Sequence, residues 1–123
     1  MKDTKNNQSV HEHKEWQKDI ERLRQENALL KYRLSEMVDK DEENRFLQMA
    51  EYFQNELLLK DEMLKKLIKD LQEYSNVIEG KSVLSQEIIN THGKLRDNIL
   101  EFEKNFKQFS KEFNEKMLES SKH

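Results

Sequence analysis

The chain has 123 residues, of which 38% are charged; it has no cysteine, no proline and only two glycines. That length suits one small domain. Its composition excludes a disulfide framework, a cysteine zinc site and thiol chemistry. It also argues against β-sandwich and α/β enzyme architectures, whose turns draw on glycine and proline.

The 22 basic and 25 acidic residues are interspersed, leaving a net charge of −3. No basic stripe offers itself to nucleic acid, and no apolar run approaches the ~20 residues of a membrane span. Met1 to Val10 are polar, without the apolar centre of a secretory leader. These residues are read as a disordered arm (1–10) on a protein expected in the cytoplasm.

The first periodic stretch runs over 11–39. Ile20, Asn27 and Leu34 fall at heptad position a, and Trp16, Leu23, Leu30 and Met37 at d. Alternating spacings of four and three mark a helix with one apolar seam. Leu29 and Tyr32 lie off that seam and widen the apolar face. A second stretch, over 42–79, carries Phe46, Ala50, Phe53, Leu57, Lys60, Leu64, Leu67, Leu71, Tyr74 and Ile78. Met49, Met63 and Val77 form a neighbouring row. The third, over 82–118, carries Ile88, His92, Leu95, Ile99, Phe102, Phe106, Phe109 and Phe113. Two-stranded cores favour branched aliphatics at a and d, so four successive phenylalanines point to a core shared by three or four helices.

Heptad phase locates the first turn. The first stretch projects an a position at 48, whereas the second has Ala50 there. A slip of two is not a discontinuity that a coiled coil absorbs. The break is therefore placed in Asp39–Glu43, with Asp39 or Asp41 as a cap. The second and third stretches share one phase, which leaves one long helix open. Gly80 as a C′ residue, Ser82 as a cap and the polar seam residues Lys81, Ser85 and His92 favour a turn. Gly93 is a second weak point, a possible kink.

Three helices of roughly 30–38 residues would each span ~45–57 Å. Matched lengths and tight turns predict an all-α, elongated antiparallel three-helix bundle, a single domain over 11–118 with a frayed tail at 119–123. The alternative is a helical hairpin or rod that completes its core by dimerising.

Several strings resemble an uncharacterised family of small bacterial all-helical, coiled-coil-like proteins. They are His13-x-x-Trp16, Glu51-Tyr-Phe-Gln-Asn55, Leu95-Arg96, Phe102-Glu103-Lys104 and Glu112-Phe113-Asn114. They occur in the family's order and cover nearly the whole chain. The chain departs from the pattern at Tyr52, where a histidine is expected, and it lacks a tryptophan-bearing end. The resemblance implies a helical fold and transfers no site.

His11, His13 and His92 fall on one end of such a bundle, with Asp70 and Glu73 nearby. Histidine with carboxylate on facing helices is how bundles hold transition metals, so His11, His13, His92 and Asp70 are the candidate metal ligands. A hydrated polar layer is the plainer alternative. Asn27 at a could set register in a parallel zipper dimer, with Asp19 facing Arg24 and Glu26 facing Lys31 of a second copy. The segment before Trp16 is too poor in lysine for a DNA-binding arm. Lys60 reads as a stem packed on the bundle with its ammonium in water. Glu51, Gln54 and Asn55 form a polar face, solvated or partner-facing. The phenylalanine row reads as core. Asp39–Glu43 fails as a calcium loop because Asn44 and Ala50 stand where glycine and glutamate are needed.

No phosphate loop, nucleophile elbow or triad spacing is present. The expectation is a non-enzymatic helical interaction or structural protein without a cofactor. It would pack with itself, as a possible homodimer, or with a protein partner, and not with nucleic acid or membrane. The alternative is a metal- or ligand-binding bundle using His13, His92 and nearby carboxylates.

Overall fold

The computed structural model describes residues 4–79 and 85–120, with side chains from residue 11 onward. Three helices make up the fold: α1 (Thr4–Lys40), α2 (Leu47–Ile78) and α3 (Gln86–Ser120). Each packs against both others, and no strand occurs among the described residues. This is the all-α three-helix bundle that the seams predict.

Side-chain pairs fix the directions. Asn27 of α1 meets Leu57 and Asp61 of α2, while His13, near the start of α1, lies against Leu71. These two helices are therefore antiparallel. Phe53 packs on Phe113, and Tyr74 bonds His92, so α2 and α3 are antiparallel as well. Arg22–Glu103 and Arg33–Asn114 both span 81 residues, which sets α1 and α3 parallel.

One core runs through the three seams. Ile20, Leu57, Leu64, Ile99, Phe106 and Phe113 are each 2% exposed or less. Full burial of such a side chain is worth about 1.5–3 kcal/mol. The exposed pairs on α1, such as Lys18–Glu15 and Arg24–Glu21, add about 0.3–0.5 kcal/mol each at most. Seam burial thus dominates. The phenylalanines interlock: Phe53 meets Phe109 and Phe113 edge-on at 5.8 and 5.0 Å.

The boundaries differ from the sequence expectation in physical detail. Residues 4–10, expected to be disordered, belong to α1. Neither glycine nor proline precedes Gly80, so the helix propagates outward from its docked seam. The break after α1 falls where the phase slip puts it, yet α2 starts at Leu47 and not at 42. Asp41 is responsible: its two carboxylate oxygens accept the backbone N–H groups of Arg45 and Phe46, both at 2.9 Å. Asn44 takes a left-handed φ of 56° between them, a conformation asparagine tolerates. Ser85, not Ser82, caps α3, its Oγ accepting the Ile88 N–H at 3.2 Å. Gly80 and Ser82 lie outside the described residues, as does the tail beyond Ser120, while Glu119 and Ser120 are helical.

α3 is one helix through Gly93, and a Cβ added there meets nothing within 4 Å. Gly93→Ala is therefore expected to stabilise the protein by about 1 kcal/mol, since glycine pays backbone entropy inside a helix. Urea unfolding of the two proteins reads this directly.

Candidate functional site

Two polar layers interrupt the apolar core. The middle layer is built on Asn27, which is 0% exposed. Its Nδ2 donates to the Leu57 carbonyl at 3.1 Å and to Asp61 Oδ1 at 2.8 Å. Lys31 donates to the other Asp61 oxygen. Burial alone would raise the Asp61 carboxyl, but the hydrogen bonds from Lys31 and Asn27 outweigh it and hold it below the ordinary carboxylate range. Asn27 Oδ1 is buried without a partner.

On the other side of α2, Lys60 is buried at 8% exposure. Its Nζ sits 4.5 Å from the centre of the Phe109 ring and 3.4 Å from Glu56 Oε1. The stem is packed on the bundle, as the sequence suggested. Its ammonium rests between a ring face and a carboxylate.

The second layer lies at the end of the bundle that holds the start of α1. Tyr74 of α2 and Nδ1 of His92 are 2.8 Å apart, and His92 Nε2 lies 3.3 Å from Glu12 of α1. The Trp16 ring packs on the imidazole at 4.9 Å between centroids. One residue from each helix therefore joins a single polar chain, a Tyr74–His92 hydrogen bond continued by the His92–Glu12 contact. Its order of hydroxyl, imidazole and carboxylate is that of a nucleophile, base and orienter. Tyr74 is only 2% exposed, however, and its bond to His92 draws α2 and α3 together.

The four metal candidates do not converge. His11 is exposed. His13 is buried against Leu71, and Asp70 pairs with Lys66 at 2.9 Å. His92 is engaged by Tyr74 and Glu12. Among the described residues no group of three or more histidines and carboxylates is placed to hold a metal ion. Sequence spacing brought these residues to one end of the bundle but did not fix their directions around each helix.

Asn27, read as a register-setting zipper residue, lies buried in the seam of its own bundle. Its amide is spent on α2 of its own chain. Arg22 pairs with both Asp19 and Glu26, and Lys31 pairs with Asp61. Glu51, Gln54 and Asn55 are exposed. Glu12 and Asp61 were missed from sequence, and Lys31 was assigned to a second copy, whereas it pairs with Asp61. Asp61 and Lys31 stand at positions flanking the seam of α1 and α2, where antiparallel pairing makes them neighbours.

Outside these layers, large apolar side chains face outward. Leu29, Tyr32, Leu58 and Leu59 are 51–61% exposed. A groove of about 300 Å3 runs between α1 and α2, lined by Leu34, Val38, Ala50, Leu57 and Leu58 with Lys31 and Gln54. No helix among the described residues is long and apolar enough to cross a membrane. No protein-family model, curated protein or solved structure gives a significant match to the chain.

Proposed function

We propose that this chain is a non-enzymatic helical interaction module. A closed bundle displays a partly apolar face on α1 and α2 to a protein partner or to a second copy of itself. One observation carries the reading: Leu29, Tyr32, Leu58 and Leu59 are more than half exposed although the seams are filled without them. Leu58 lines the groove between α1 and α2, and an apolar groove between two helices is what an amphipathic partner helix uses. Affinity would come from covering these side chains, and selectivity from the charged neighbours Lys31 and Asp61.

The double substitution Leu58→Glu and Leu59→Glu tests this reading. Both side chains point outward, so helicity and melting temperature are expected to stay close to those of the parent. Association, with a copurifying partner or with itself, should fall at least tenfold, the equivalent of about 1.4 kcal/mol. Equal association by the parent and the double variant, by cross-linking and light scattering, overturns the reading.

A further inference from the structure

His13 is the buried titratable group that no hydrogen-bonded network absorbs. It is 7% exposed, and its Nε2 has no hydrogen-bond partner. The charged groups acting on it are Glu79 at the end of α2 and Lys14 of its own helix. From α3 comes His92, already held by Tyr74 and Glu12. A proton on His13 Nε2 places a cation, with a donor that nothing accepts, inside a buried seam.

We propose that protonation of His13 undocks the first part of α1 from the α2–α3 pair while the rest of the bundle stays folded. The opening is local because the anchors are uneven. N-terminal to His13, Val10 is the one aliphatic residue in Thr4–Glu12. Trp16, one turn from His13, lifts with this end, whereas beyond it Ile20, Leu23, Leu30 and Leu34 are all buried and hold. Helix ends with few buried apolar contacts open at the lowest free energy. Lifting this end off bares Leu71, Tyr74 and Ile78, seam residues that are 2% exposed in the closed bundle. The device is therefore an acid-released apolar surface. It does not depend on the outward face of α1 and α2.

The direction of the proton equilibrium agrees. Burial holds the His13 imidazole below the ordinary histidine range, with Lys14 acting the same way. Leu71 and Glu79 pull it back only in part. A histidine whose docked-state pKa is depressed favours docking fully above its free value of about 6.5 and loses that contribution as pH falls below it.

Trp16 is the single tryptophan and packs on His92, so the full chain carries its own reporter. Tryptophan emission and far-UV circular dichroism are followed together from about pH 8 to pH 5. The expected result is a red shift of emission with most helicity retained. His13→Leu and His13→Gln abolish the shift, and His92→Gln, which removes any direct quenching of Trp16 by a charged imidazole, preserves it. If His13→Leu does not fold, His13→Gln alone decides. Three results overturn the proposal: no emission change in the parent, an unchanged transition in the His13 variants, or loss of emission and helicity at one common midpoint.

Discussion

Phe113→Ala should lower unfolding stability by about 3–5 kcal/mol, a large part of the roughly 5–15 kcal/mol that holds a domain of this size. Phe113 is 0% exposed. Its ring meets Phe53 edge-on at 5.0 Å and Phe109 at 6.3 Å, and the Arg33 guanidinium lies 5.5 Å from its centre. Truncation removes apolar burial and leaves a cavity bounded by two rings on different helices, which cannot both collapse into it. Denaturant unfolding should show a lower midpoint with a similar slope. A loss below about 1 kcal/mol would mean that the phenylalanine ladder is not the centre of the core.

Asn27→Asp carries the second large effect. The amide nitrogen that donates to Leu57 and Asp61 becomes a carboxylate oxygen. A buried negative charge then stands beside Asp61, and Lys31 can serve only one of them well. The cost at pH 7 is expected to be about 3–5 kcal/mol, the range for a buried charge left uncompensated. The like charge raises the folded-state pKa of the new carboxyl above its unfolded value of about 3.9, so the penalty is incurred as pH rises above that value. The gap between variant and parent should therefore narrow on acidification. A gap that is constant from about pH 7 to pH 4.5 would show that lost geometry, and not charge, is the cause.

The parts of this fold that sequence revealed are those set by period. The seam from Trp16 to Leu34 and the row from Phe102 to Phe113 follow from spacing alone, because a helix returns every 3.6 residues to the same face. The phase slip before Ala50 located the first turn for the same reason. The start of α2 was misjudged because Asp41 spends its carboxylate on the backbone of Arg45 and Phe46. That contact depends on local backbone geometry, which periodicity does not encode.

The candidate site was less legible. Tyr74 and His92 were both read as seam residues, but their bond joins positions 18 apart across two antiparallel helices. Its existence depends on helix rotation to within a few tens of degrees. Lys60 was read by its aliphatic stem, whereas the Phe109 ring decides where its charge rests. Spacing gave the level of each polar group and left its direction open. Direction separates a metal site from a set of independent hydrogen bonds.

One chain fills its own three seams, and under the proposed function association falls to the outward side chains of α1 and α2. Thermal unfolding across a roughly hundredfold range of protein concentration tests it most directly. In the Leu58→Glu/Leu59→Glu variant, one cooperative transition is expected whose midpoint does not move with concentration, because no second chain is needed to complete the core. A midpoint that climbs with concentration in that variant would contradict a self-filled core, since the folded state would then require another copy.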